Sequence, residues 1–169
     1  MNNILRDREK RYDDVLSIIN KYGLPVICGK INYPGNDKNT LEAQRAFQIL
    51  QVLLTERFAE NSIHTQILAG DDGSSILIVT SIDPMEAKKI SVSIETNHPI
   101  GRIFDIDVYV IEGNSIGREK LNIETRKCII CNEDARICMR TGKHSLQEVI
   151  DSVNKLIHDY VCNNSSAMV

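Results

Sequence analysis

The chain has no tryptophan, and aromatic residues make up only 5% of its 169 positions. Its core must therefore rest on aliphatic side chains, among which Ile is abundant. No apolar run approaches the roughly 18 residues of a membrane span, so no membrane partner is expected. The start, Asn2 to Glu9, is too charged for a signal peptide, and the chain reads as cytoplasmic. Positive charge is not in excess either: 20 Lys and Arg stand against 23 Asp and Glu, a net charge of −3. That balance excludes a globally basic nucleic-acid binder, which needs a broad cationic face to neutralise phosphates. Cysteine is odd in number, five in all. Three of the five are clustered, which fits a secreted disulfide framework poorly and makes reduced thiols the expectation.

What is present suffices for one domain over 1–169. With 42% hydrophobic residues, a chain of this length buries roughly 70% of its unfolded surface and needs no staple to fold. Residues 3–22 carry apolar side chains at helical spacing and stop at Gly23 and Pro25. Leu24 to Ile31 reads as a strand, followed by a loop through Pro34-Gly35. The clearest helix is 40–60, with Ala43, Ala46, Phe47, Leu50, Leu54 and Phe58 in one stripe. A hairpin follows, Ile63 to Leu68 and Ser75 to Ile82 about an Asp-Gly turn. A helix over 84–96 opens on Pro84, although Ile90 to Ile94 also alternates like a strand. Phe104 to Val110 alternates as a strand, with a return strand expected at 116–124. Ser145-Leu146-Gln147-Glu148 is a capping box opening a helix to about residue 161, and 163–169 is expected to fray. The fold class is thus α+β: an antiparallel or mixed sheet with a β-α-β-β-α-β core of ferredoxin-like order and added N- and C-terminal helices.

Chemistry concentrates in two places. In Asp105-Ile106-Asp107, two carboxylates on one strand face have α-carbons about 6.5–7 Å apart, a spacing that suits one hard cation such as Mg²⁺ or simply a solvated face. His98-Pro99-Ile100-Gly101-Arg102 leads into that strand. There Gly101 permits close phosphate approach and Arg102 offers a planar fork for phosphate oxygens; a plain loop is the alternative. Further on, Cys128, Cys131, Cys138 and His144 are ligand types that zinc uses. If Asn132 caps a helix, however, Cys131 and Cys138 stand roughly 9–10 Å apart along it. Zinc-bound thiolates approach within about 4 Å of each other, so buried thiols are the expectation and zinc the alternative. The flanking Arg126, Lys127, Arg136, Arg140 and Lys143 make this segment locally basic.

Taken together, His98-Pro99-x-Gly101-Arg102-x-x-Asp105-x-Asp107, Arg126-x-Cys128-x-x-Cys131, Ala135-x-x-Cys138-x-Arg140 and His144 resemble the holo-acyl-carrier-protein synthase family of citrate lyase, the apo-citrate lyase phosphoribosyl-dephospho-CoA transferases. Arg8-x-x-Arg11 and Asn32-x-Pro34-Gly35-x-x-Lys38 resemble its early motifs, and the likeness runs from about residue 4 to 150. It implies a nucleotidyltransferase. The donor would be 2′-(5″-triphosphoribosyl)-3′-dephospho-CoA, the acceptor a serine of the acyl carrier protein subunit of citrate lyase, and the leaving group pyrophosphate. On that reading Asp105 and Asp107 hold Mg²⁺, and Arg102 and Lys38 clamp phosphates. His98 or an aspartate assists the serine, while Asn32, Gly101, Arg126, Arg140 and His144 contribute to donor binding. The rival readings are a zinc module binding a protein through 128–144 and a Mg²⁺-dependent phosphohydrolase using the same aspartates.

Overall fold

The computed structural model describes residues 3–164. Their order is α1 (Asn3–Tyr22), β1 (Val26–Ile31), α2 (Leu41–Arg57), β2 (Ser62–Leu68), β3 (Ser75–Thr80), α3 (Pro84–Asn97), β4 (Phe104–Tyr109), α4 (Ala135–Thr141) and α5 (Leu146–Asn164). The strands lie in the order β2-β3-β1-β4 with every neighbouring pair antiparallel. This is the split β-α-β-β-α-β arrangement that the sequence predicts, with α1 and α5 as the added helices.

Local chemistry explains the boundaries. Asp83 caps α3 by accepting from the Met85 and Glu86 amides, and Pro84 stands in the first turn. The serine that makes α3 look strand-like, Ser91, returns its hydroxyl to the Ala87 carbonyl at 2.8 Å and is buried within the helix. The β2–β3 turn closes at Gly73, whose φ of +83° lies where side chains are disfavoured. The Ser145 hydroxyl and Glu148 carboxylate exchange bonds with each other's amides at the start of α5.

Burial divides the sheet into two faces. On one, α2, α3 and α5 cover Ile27, Ile76, Ile78, Phe104, Ile106 and Val108 with Leu50, Leu54, Phe58, Val153 and Ile157. On the other, α1 lays Val15, Ile18 and Ile19 over Val26, Cys28, Leu77 and Val79. β3 is covered on both sides and is buried along its whole length, which accounts for its unbroken Ile-Leu-Ile-Val run. β4 lies at a sheet edge and is apolar only on the first face, so its pattern alternates.

That edge is closed by helix side chains. Glu95 of α3 accepts from the Ile106 amide at 2.8 Å, and Lys88 of α3 donates to the Ile106 carbonyl at 3.1 Å. Both side chains are buried, and together they occupy backbone groups that would otherwise be open to another strand.

Three expectations are corrected. No strand forms over 116–124. Ser115 makes an isolated bridge to Tyr109 and Ile116 donates to the Val108 carbonyl, but the chain then enters a 3-10 turn at Arg118–Leu121. The charged run Arg118-Glu119-Lys120 has no alternate apolar residues to bury, and Arg118 turns to Glu95 instead. The helix expected from Asn132 begins at Ala135, because Asn132 is left-handed at φ 62° and Asp134 takes the cap position. The fraying expected from 163 is absent at Asn163 and Asn164, which belong to α5; 165–169 lie outside the described residues.

Candidate active site

Because α1 sits over β1 and β3, the second face of β4 is left open. Strand alternation puts Asp105, Asp107 and Tyr109 there, and antiparallel pairing sets Lys30 beside Asp105 and Cys28 beside Asp107. Arg8, Arg11 and Tyr12 of α1 and Asn32 after β1 complete the walls of a cleft of about 380 Å³. The two arginines, one helical turn apart, are held by a single buried carboxylate in the β2–β3 turn: Arg8 Nε lies 3.0 Å from Asp72 Oδ1 and Arg11 Nη2 2.7 Å from Asp72 Oδ2.

The two strand aspartates are in different electrostatic states. Asp105 accepts from Lys30 Nζ at 2.7 Å and Arg126 Nη2 at 3.0 Å. Burial works to raise its carboxyl, but these two cations outweigh burial and hold it below the usual carboxylate range. Asp107 has no ion pair among the described residues, and burial followed by the Asp105 charge pushes it up. Arg126 also bonds Glu95 Oε1 at 2.7 Å, and Arg118 bonds the other Glu95 oxygen. Glu95 thus ties the β4 backbone to the cation that faces Asp105. The buried Cys28 thiol is pushed up to about 12, chiefly by burial, so it stays protonated at neutral pH and is no nucleophile.

A second hollow, a groove of about 530 Å³, shares Arg8 and Asn32 with the cleft and runs under α4 and α5. Tyr33, Pro34, Ile103, Ile129, Met139 and Val153 give it an apolar lining, with Lys38, Arg102 and His144 as polar points. Lys38 Nζ donates to the Tyr33 carbonyl, and burial, opposed by Asp72, lowers its pKa. Arg102 Nε donates to the Lys127 carbonyl, and burial and then Arg126 lower its pKa. The polar cleft and the apolar groove form one continuous, two-part surface.

Of the residues singled out in the sequence, Asp105, Asp107 and Asn32 line the cleft, Lys38, Arg102 and His144 line the groove, and Arg126 lines neither but bonds Asp105. His98 is not with them. It caps the C-terminal end of α3, packs against Phe104 and Tyr160 with centroids 5.2 and 5.0 Å away, and lies 3.2 Å from the Tyr160 hydroxyl. Phe104 points to the core face, so His98 sits across β4 from the aspartates, and burial lowers its pKa. Gly101 is buried, and a Cβ there would stand 2.5 Å from the Glu95 carbonyl oxygen and 2.6 Å from that of Ile94. Its missing side chain is required by α3, where the sequence suggested room for a phosphate. Arg140 is exposed on α4 and lines neither hollow. Sequence reasoning did not assign Lys30, Glu95 or Asp72 a place. It noted the Arg8 and Arg11 spacing without placing the pair in the site. The one available signal for Lys30 is a lysine inside an otherwise apolar strand.

Cys128, Cys131, Cys138 and His144 converge beside the groove, with ligand atoms all within 4.8 Å of one another. The separation expected from a continuous helix does not arise, because Cys131 precedes the left-handed Asn132 and folds back to 3.4 Å from the Cys138 sulfur. A Cys/His group able to hold a metal ion is therefore present.

The sequence matches the family described as apo-citrate lyase phosphoribosyl-dephospho-CoA transferase over residues 1–160. A relative from Streptococcus pyogenes serotype M5 is 30% identical over 165 residues, covering 95% of this chain and 86% of the relative. One from Vibrio cholerae serotype O1 is 26% identical over 170 residues, covering 96% and 93%. Both carry the description "probable apo-citrate lyase phosphoribosyl-dephospho-CoA transferase". With the match extending over nearly the whole chain, including both strand aspartates and the cysteine cluster, this protein belongs to the apo-citrate lyase phosphoribosyl-dephospho-CoA transferase family.

Proposed function

We propose that the protein transfers the phosphoribosyl-dephospho-CoA group from 2′-(5″-triphosphoribosyl)-3′-dephospho-CoA to a serine of the acyl carrier protein subunit of citrate lyase. The observation that carries this reading beyond family membership is the junction of two unlike hollows. A carboxylate pair ringed by Arg8, Arg11 and Lys30 suits a polyphosphate end, and the apolar groove beyond Arg8 and Asn32 suits the long, largely uncharged remainder of a CoA-like donor.

In the reaction the serine oxygen forms a bond to the phosphorus nearest the ribose. The bond from that phosphorus to the bridging oxygen breaks, and pyrophosphate leaves with the electron pair. The serine proton passes to Asp107, whose hold on a proton burial and the Asp105 charge strengthen, since Lys30 and Arg126 keep Asp105 ionised and His98 stands across the sheet. Arg8 and Arg11 meet the triphosphate charge, with Lys38 and Arg102 at the groove side. The carboxylate pair also fits Mg²⁺. Asp107 is uncompensated, and Asp105, though bonded to two cations, retains a second lone pair on each oxygen. Mg²⁺ held there would neutralise charge on the transferring and leaving phosphates. The free cysteines fit a reducing compartment, which we take to be the cytoplasm.

The test is incubation with apo carrier protein, donor and Mg²⁺, read by intact mass. The carrier should gain the mass of the prosthetic group, and Asp105→Asn should slow that gain at least about 100-fold, the scale of losing a charge that acts at the transferring group. No gain on a carrier that a known synthase can load would overturn the proposal. Release of pyrophosphate at the same rate without any carrier would make the enzyme a hydrolase.

A further inference from the structure

We propose that Cys128, Cys131, Cys138 and His144 bind a structural zinc ion, and that this ion fixes residues 126–144 as the wall of the groove. Four ligands of the types zinc prefers converge from three separate local structures: the turn at 128–131, α4 and the linker before α5. Tetrahedral zinc with Zn–S bonds near 2.3 Å and Zn–N bonds near 2.0–2.1 Å places sulfurs about 3.8 Å apart and nitrogen about 3.6 Å from sulfur. Here the Cys131 and Cys138 sulfurs are 3.4 Å apart, and His144 Nε2 lies 3.2 Å from the Cys131 sulfur. Small outward movements of flexible side chains open that arrangement to a metal.

The turn carrying the first two ligands is prepared by its backbone. The Cys128 amide donates to the Glu133 carbonyl, the Asn132 amide donates to the Cys128 carbonyl, and the Ala135 amide donates to the Arg126 carbonyl at 2.9 Å. Within it the Ile130 amide points at the Cys128 sulfur from 3.5 Å, a donation that favours a thiolate acting as ligand. Three thiolates and a neutral imidazole around Zn²⁺ carry one net negative charge, and Arg102, which lines the groove together with Cys128, Cys138 and His144, is the cation on that wall.

This stretch also buries little apolar surface of its own. Ile130, Ile137 and Met139 are exposed, Met139 at 81%, and α4 has seven residues, too few to stand without tertiary support. Cys138 is the one buried side chain of α4. A segment without an apolar core of its own is where a metal adds most to folding. The consequence reaches the site, because Arg126, two residues before Cys128, bonds Asp105, and the Lys127 carbonyl accepts from Arg102.

Protein made in zinc-supplemented medium and purified under reduction is expected to carry about one zinc per chain by elemental mass spectrometry. Co²⁺ in its place should give thiolate-to-cobalt charge-transfer bands and visible bands of tetrahedral intensity. Cys138→Ser should lose the zinc, whereas Cys162→Ser, on α5 away from the cluster, should keep it. If Cys138→Ser does not fold, His144→Cys retains four ligands and should keep the metal with a shifted cobalt spectrum. Folded wild-type protein with zinc far below stoichiometry, a different bound metal, or a cobalt spectrum indifferent to these substitutions would overturn the proposal. So would two missing thiols in the metal-free protein, which would mark a Cys131 to Cys138 disulfide. Metal content is read without running the reaction, so its outcome is independent of the transferase proposal.

Discussion

Asp105 and Asp107 project from one face of β4 into one cleft, yet Asp105 is bonded by two cations while Asp107 has no ion pair among the described residues. The pairing of β4 with β1 creates the difference. Lys30 stands opposite Asp105, and the residue opposite Asp107 is Cys28, whose thiol stays neutral. Asp105 is thereby fixed in its ionised form, and Asp107 is left as a charge that a bound cation or proton would relieve.

The first prediction concerns this unrelieved charge. Asp107 has a raised pKa in the folded protein, so the folded state holds its proton to higher pH than the unfolded chain, where the value is about 3.9. Its contribution to stability therefore falls as pH rises from about 4 through the raised value, and the deficit persists at neutral pH. Asp107→Asn removes it. Thermal unfolding at pH 7 should shift upward by about 2–4 °C, the equivalent of about 1 kcal/mol in a chain of this size. The gain should shrink below pH 4, while transfer activity collapses. A lower melting temperature at pH 7 would show that Asp107 is already compensated.

The same strand shows how far the sequence could be read. Alternation of Phe104, Ile106 and Val108 with Asp105 and Asp107 identifies the face that is not core without any structure, and the β-α-β-β-α-β order of elements follows from the Asp-Gly hairpin and helical spacings on either side of it. The cysteine cluster was not legible, because a rise of 1.5 Å per residue applies only inside a helix. A single left-handed residue, Asn132, returns the chain on itself. Lys30, Glu95 and Asp72 escaped for a related reason. Each forms ion pairs across the fold with residues more than 20 positions away, and local spacing carries no trace of such pairs.

Glu95 makes the second prediction. Its two oxygens take the Ile106 amide, Arg126 and Arg118, and its side chain is only 2% exposed. Glu95→Gln keeps a group of the same shape but leaves two guanidinium groups without their shared counter-charge. Breaking a buried ionic network from one side costs about 3–5 kcal/mol, and the solvent-facing ends of the two arginines bring the expected loss toward the lower figure. Denaturant unfolding should show a loss of that size in unfolding free energy, read from the midpoint shift and the slope, and a change below about 1 kcal/mol would mean that water replaces the carboxylate.

Arg11 and Asp72 supply the third. Arg11 is nearly buried, at 12% side-chain exposure, and spans from Asp72 into the cleft. Arg11→Gln should raise the KM for the triphosphate donor by about tenfold or more, the effect of losing about 1.5–3 kcal/mol of charged hydrogen bonding. The KM for the carrier protein should not change. Asp72→Asn retains both arginines but loosens their aim, so it should raise the donor KM less than Arg11→Gln does. Steady-state kinetics with each substrate varied in turn separates the two roles; equal effects on both KM values would place Arg11 outside the donor site.

Gly101 allows the structure to be set against the sequence directly. A glycine kept for phosphate approach would, on gaining a methyl group, damage donor binding in a protein that is otherwise stable. In the structure the Cβ would meet two main-chain oxygens of α3, at 2.5 and 2.6 Å from Glu95 and Ile94. Those atoms are fixed by helix hydrogen bonding and cannot swing aside as a side chain would. Gly101→Ala must push the end of α3 away from the start of β4, at a cost of about 1–3 kcal/mol. For a chain of this length that is a fall of about 2–12 °C in melting temperature. The donor KM of the protein that remains folded should be unchanged at a temperature well below the transition. A stable Gly101→Ala protein with a raised donor KM would restore the phosphate role and remove the packing one.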